Sequence, residues 1–127
     1  MKTSRFTQVG EKVTVAVHDS IPFKPFTSFE GRALTGVRLH EIGAWGAVEL
    51  QHVEIGKGGE FAMHSSPHLA FCHIVRGEGS LILPGDHEVT YRGPETYVFE
   101  PHAEHAWRHV RSDTLLAVAI IPVATTR

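Results

Sequence analysis

Short runs of β-forming residues, separated by glycine- and proline-rich turn signals, recur along most of this 127-residue chain. The predicted strands are 47–55, 69–75, 80–83, 88–91, 95–100, 105–110 and 114–121. The turn signals between them fall at 56–59, 76–79, 84–86, 92–94 and 112–113. No segment of more than ten residues carries a helical period, so this spacing predicts an all-β antiparallel sandwich or barrel.

The first part of the chain has a different pattern. Val13, Val15 and Val17 alternate with smaller or polar residues, which is the period of a half-buried strand, and prolines then interrupt regular pairing. We therefore predict an N-terminal arm with one edge strand over residues 1–30 and a barrel over residues 31–127, as one domain overall. A chain of this length buries roughly two-thirds of its unfolded surface, so it can build a core without covalent staples.

Charge and composition narrow the possible partners. The formal net charge is −2, which supplies no broad basic surface for nucleic acid. The first ten residues are polar, and the longest apolar stretch, 115–123, is too short to span a bilayer. Cys72 is the only cysteine, so an intrachain disulfide is impossible and a reducing compartment suits the chain. We expect a cytoplasmic protein with neither nucleic-acid nor membrane partners.

Histidine is the unusual component, with ten copies in a short chain. Six of them form two clusters that each span under a dozen residues: His64, His68, His73, His102, His105 and His109. Imidazole nitrogen is a common ligand for transition metals, so this clustering is the strongest chemical signal in the sequence.

Strand geometry indicates which histidines converge. Residues two and four apart on an extended strand share a face, so His64 and His68 are expected to point into the barrel together. The same alternation puts His105, Trp107 and His109 on one inward row of a facing strand.

Two segments resemble the metal-binding motifs of the cupins. Gly58-Gly59 through His64 to Arg76-Gly77-Glu78-Gly79 is similar to the first motif, and Gly93 through Pro101 to His105 is similar to the second. The resemblance covers about residues 36–121 and implies a double-stranded β-helix, or jelly-roll, barrel. In its register Ser66 and Ala70 stand where the family has its second histidine and its glutamate.

The resemblance makes His64 and His105 the expected ligands of one divalent metal ion, which spacing leaves open as iron, zinc, nickel, manganese or copper. His68 is a candidate to replace the missing second histidine, and His109 occupies a position where the family often has asparagine. His73 remains a rival to His68, because a proline just before His68 weakens the alternation argument.

An all-imidazole ligand set leaves the ion its full dipositive charge, which favours a substrate that binds as an anion, such as the enolate of a dicarbonyl compound. The predicted substrate pocket contains Ser66, Phe71, His73, Phe99 and Trp107. Glu100 and Glu104 are candidate general bases, although the opposite parity of Glu104 to His105 favours a solvated turn residue. We interpret Cys72 as a small buried residue rather than a ligand.

Three functional hypotheses follow from the resemblance. The run from Glu95 to Pro101, followed by His105, is similar to the three-histidine Fe(II) dioxygenases that cleave β-diketones, and a dioxygenase is the leading hypothesis. A non-redox zinc cyclase or isomerase of the polyketide-cyclase type, acting on an aromatic or polyketide-like molecule, is the second. The third is a non-catalytic ligand-binding or sensor cupin. The resemblance also implies a homodimer.

Overall fold

The computed structural model describes residues 2–18 and 23–123 and is built almost wholly of β-strands. The strands are β1 (Thr3–Val9), β2 (Lys12–His18), β3 (Lys24–Pro25), β4 (Ser28–Phe29), β5 (Arg32–Ala33), β6 (Thr35–Trp45), β7 (Val48–His64), β8 (Leu69–Leu83), β9 (His87–Arg92), β10 (Glu95–Phe99) and β11 (His105–Ile121). A 3₁₀ turn, Pro84–Asp86, separates β8 from β9. The predicted all-β class is confirmed. No helix among the described residues is long and apolar enough to cross a bilayer.

The seven-stranded main sheet is antiparallel throughout, in the order β10-β8-β11-β7-β6-β3, with β9 also paired to β8. Its centre consists of three long strands, because β11 pairs with β7 along one edge and with β8 along the other. These strands change register along their length, so each one contributes to more than one side of the barrel. Their inward residues therefore surround a common interior.

Three of the predicted turns lie inside continuous strands, which corrects the predicted strand lengths. The segments 56–59, 76–79 and 112–113 belong to β7, β8 and β11 and coincide with register shifts rather than reversals. Gly77 shows why glycine is needed there: its φ is +113°, and an added Cβ would lie 2.5 Å from the Cα of Thr114. Glycine at such bulges allows a strand to bend across the barrel while a neighbouring backbone approaches closely.

The N-terminal hairpin, formed by β1 and β2, lies outside the main sheet. β2 pairs with β1 and with no other described strand, so the predicted strand at Val13 to Val17 exists but is not an edge strand of the barrel. Phe6 lies opposite Val15, and both are exposed on the same face as Val13 and Val17.

One end of the barrel interior is filled by side chains. Ile55, Ile74 and Tyr91 are completely buried, and the Tyr91 hydroxyl lies 2.7 Å from the Oγ1 atom of Thr114. The Tyr91 ring also packs edge-on against Trp107, with ring centroids 5.2 Å apart. Trp107 therefore forms the boundary between this filled end and the rest of the interior.

Candidate functional site

A cavity of about 430 Å³ occupies the other end of the barrel, beyond Trp107. This volume lies within the range of pockets that bind small molecules. Its walls are mainly apolar and include the aromatic rings of Phe26, Phe29, Phe61, Phe99 and Trp107. A cavity of this composition is suited to an apolar or aromatic molecule of modest size.

Two histidines from neighbouring strands meet in the wall of this cavity. His64 ends β7 and His105 begins β11; the two are register partners, and their ring centroids are 4.3 Å apart. The Nδ1 atom of His64 lies 2.8 Å from the carbonyl oxygen of Ala62, and that of His105 lies 3.1 Å from the carbonyl oxygen of Ala103. A carbonyl oxygen only accepts, so each Nδ1 carries the proton and each neutral ring keeps its lone pair on Nε2.

Burial keeps both imidazoles neutral. Burial, together with the repulsion that a protonated His64 would exert, lowers the pKa of His105 to about 4, and burial also lowers the pKa of His64. Aromatic rings hold the pair in place, because Phe99 stacks on His105 at 3.7 Å between centroids and Phe61 lies 4.3 Å from the His64 ring. Neutral, oriented imidazoles with one nitrogen bonded to a carbonyl are the usual form of metal-binding histidine.

A third ligand is not in place beside this pair. His68 lines the same cavity from the loop 65–68, where its backbone N–H donates to the Oγ atom of Ser66. The described residues nevertheless contain no group of three or more histidine, cysteine or acidic side chains positioned to hold a metal ion together. Cys72 also lines the cavity, but burial raises the pKa of its thiol to about 12, which makes it a poor ligand. The pair therefore offers two imidazole nitrogens of the type that bind divalent ions.

The structure divides the predicted pocket residues into two groups. Ser66, Phe99 and Trp107 line the cavity. Phe71 and His73 do not, because they flank the inward-facing Cys72 on β8 and alternation turns them to the outer face of the sheet. Phe71 is exposed, and the Nδ1 atom of His73 lies 3.1 Å from the Oγ1 atom of Thr96 on β10. The prediction that these two residues line the pocket is wrong.

The predicted inward row on β11 ends at Trp107. His109 is exposed and has a φ of +50°, in the part of β11 where its register with β8 shifts between Arg108 and Ser112. This irregularity breaks the simple alternation that predicted an inward side chain. Glu104 is exposed and does not line the cavity, whereas Glu100 does.

Three further polar residues that were not predicted from the sequence also line the cavity: Glu41, Glu49 and Gln51. The available signal was the alternation of Glu49, Gln51 and Val53 along β7, since residues with the same parity as a buried valine share its face. Polar residues near a strand end are usually solvated, which concealed this pattern.

Several solved structures with the same architecture are described as cupins. A cupin 2 conserved barrel domain protein from Rhodopseudomonas palustris is 21% identical over 86% of this chain and 76% of its own, with a TM-score of 0.66. A predicted oxalate decarboxylase from Thermotoga maritima is 15% identical over 81% of this chain and 94% of its own, with a TM-score of 0.69. The cupin domain of Cnp3 from Schizosaccharomyces pombe is 8% identical over 96% of this chain and 88% of its own, with a TM-score of 0.69.

No protein-family model and no curated protein matches the chain. The structural likenesses show that the chain has the cupin fold, which confirms the predicted jelly-roll barrel. Because one fold carries many chemistries, the activity has to be argued from the site.

Proposed function

We propose that this chain is a small metal-dependent cupin that acts on a small organic molecule, with His64 and His105 holding one divalent ion. The observation that carries this proposal is the orientation of the pair: each Nδ1–H donates to a backbone carbonyl, and both rings line an apolar cavity. His68, which lines the same cavity, is the proposed third ligand and completes the set if the loop 65–68 moves toward the pair.

A bound ion would supply Lewis-acid chemistry, and iron would add redox chemistry. The chain's own residues have three separate roles in this proposal. The aromatic walls bind the apolar part of the substrate and exclude water from it. Phe99 and Phe61 fix the ring planes of His105 and His64. Glu100 is a carboxylate on the cavity that can accept a proton from a bound substrate.

Two reactions remain compatible with these roles. An iron dioxygenase that cleaves a dicarbonyl or related aromatic substrate is the leading proposal, and a zinc cyclase or isomerase acting on a polyketide-like substrate is the alternative. Consumption of dioxygen during turnover of a 1,3-dicarbonyl substrate supports the first, and turnover at an unchanged oxygen concentration supports the second.

The incomplete ligand set favours a second candidate, a non-catalytic ligand-binding cupin. Only two imidazoles are oriented for a metal among the described residues, and this arrangement also suits a protein that binds an organic ligand without an ion. Such a protein would contain no stoichiometric metal after purification.

Elemental analysis of the purified full-length chain tests the proposal. We expect close to one divalent ion per chain in the unmodified protein and in His87→Ala, because His87 is exposed and lies outside the cavity. We expect His105→Ala to lose the metal, since one of the two oriented imidazoles is removed. Equal metal content in the two variants would contradict the assignment, and a metal-free unmodified protein would favour the binding function.

A further inference from the structure

The charged groups of the cavity all have the same sign. Three residues that line it, Glu41, Glu49 and Glu100, carry carboxylates and are exposed, so they lie at its opening. None of the described lysines and arginines lines it. None of the three carboxylates forms an ion pair with another described residue. Among the described residues, the side chains at the opening therefore carry negative charge without a paired cation.

The sheet register shows how these carboxylates are arranged. Register partners run across the sheet from Glu49 on β7 to Ile120 on β11 and then to Ala70 on β8. Ala70 is paired with Phe99 on β10, and Glu100 follows Phe99 directly. Glu41 is the register partner of Gln51, two residues beyond Glu49 on the same face. One carboxylate thus stands at the β10 margin of the inner sheet surface and two stand at the β6–β7 margin, with apolar residues between them.

The interior behind this opening has polar and aromatic groups that are available to a ligand. His105 is only 6% exposed and lines the cavity, and its Nε2 atom has no hydrogen-bond partner among the described residues. Its neutral ring presents a lone pair there, which accepts a hydrogen bond or binds a cation. Aromatic rings form the walls, and their faces also attract cations. In the metal-free protein, each of these features favours positive charge over negative charge.

We propose that the small organic substrate of this cavity carries an ammonium group on its apolar or aromatic body, and that the carboxylates at the opening select it over neutral and anionic molecules of the same size. This inference rests on the proposal that the cavity is the functional site, and it names the substrate class. The apolar body lies against the aromatic walls and the ammonium group lies near Glu41, Glu49 and Glu100. A substrate that is already anionic in solution is disfavoured at the opening, so an enolate of the kind expected at a bound metal would form only inside the cavity.

Three probes of nearly equal size and different charge test this selection: 2-phenylethylamine, 2-phenylethanol and phenylacetate. Isothermal titration calorimetry on the full chain, both as purified and after chelation, measures the affinity for each probe. At low salt we expect the amine to bind about tenfold more tightly than the alcohol and the acid to bind about tenfold more weakly, with both ratios shrinking as salt is added. An equal or reversed order in the chelated protein, or no binding of any probe, overturns the proposal.

Matched triple variants locate the effect. Replacing Glu41, Glu49 and Glu100 with glutamine should bring the affinities for the three probes close together. The control replaces Glu11, Glu60 and Glu88, which are exposed and do not line the cavity, and changes the net charge equally. It should keep the preference for the amine, and loss of the preference in both triples contradicts a local role. These affinities are measured separately from metal content, so the test distinguishes failure of this inference from failure of the metal assignment.

Discussion

The two ends of the barrel interior use the same strands in opposite ways. At the filled end, large inward side chains bury one another, and the polar atoms present are paired, as between Tyr91 and Thr114. At the cavity end, His64 and His105 are bonded through one nitrogen only, and the second nitrogen has no partner among the described residues. Trp107 lines the cavity and also packs on Tyr91, so it belongs to both ends. The comparison indicates that packing stability is concentrated at one end and binding capacity at the other.

Truncating a side chain at each end tests this division most strongly. Ile74→Ala at the filled end should lower the free energy of unfolding by about 4 kcal/mol, because the close-packed surroundings leave a new void. Val118→Ala in the cavity wall should cost about 1 kcal/mol, because that side chain already faces open space. Urea denaturation followed by circular dichroism measures both values. Equal costs would mean that the two ends are packed alike.

Acid should destabilise the metal-free protein through the cavity end. The unfolded His105 side chain takes up a proton below about pH 6.5, whereas burial keeps the folded ring neutral down to a pKa of about 4. Stability is therefore present above the unfolded pKa and is lost as the pH falls toward the folded pKa. Between about pH 7.5 and about pH 5, protonation linked to this residue should lower the free energy of unfolding by about 2 kcal/mol, as measured by urea titrations with chelator present.

Two variants isolate the contribution of His105 to this pH dependence. His105→Leu removes the titrating group and should flatten the dependence by about that amount. His87→Ala, at an exposed position, should leave it as in the unmodified chain. A pH dependence that is identical in His105→Leu and the unmodified chain would show that this ring does not resist protonation.

The smallest expected effect concerns the hydroxyl pair at the filled end. Tyr91→Phe removes one bond to the Oγ1 atom of Thr114, whose hydroxyl retains the Ser112 carbonyl oxygen at 3.1 Å as a partner. The free energy of unfolding should fall by about 1 kcal/mol. Tyr97→Phe is the control, because the partly buried Tyr97 hydroxyl bonds to Glu95 and its loss should cost less. A change within measurement error for Tyr91→Phe would show that this hydrogen bond adds nothing to the free energy of unfolding.

Alternation and motif spacing were sufficient to predict the fold and to place several candidate residues in the cavity wall. His64, Ser66 and His68 line the cavity, although the chain bends at 67–68 and Ser65 lines it as well, so strict alternation ends with β7. His105 and Trp107, two residues apart on β11, also line it. The jelly-roll class followed from the turn signals and from the resemblance of the motifs to those of the cupins.

The predictions were wrong or incomplete where the backbone departs from a straight strand, or where residues from distant segments determine which side chains share the cavity. The left-handed backbone at His109 cannot be deduced from the identity of a histidine, so its outward direction was not predictable. Glycines at 56–59 and 76–79 are equally consistent with a reversal and with a bend inside a long strand, and only the pairing partners distinguish these. Glu41 and Glu49 were missed because their importance depends on rings contributed by distant segments.

The interrupted register of β11 limits how far a change in strand length would spread. His105 is aligned by its partner His64, whereas Thr114 to Ile120 are aligned separately with the first half of β7, and the pairing shifts between these two blocks. The exposed residues 111–113 connect the blocks and make contacts of their own, because Ser112 pairs with Glu78 and the Asp113 carboxylate accepts from the Lys57 N–H. Gain or loss of a residue in this connector would therefore break those local contacts while the histidine pair keeps its register.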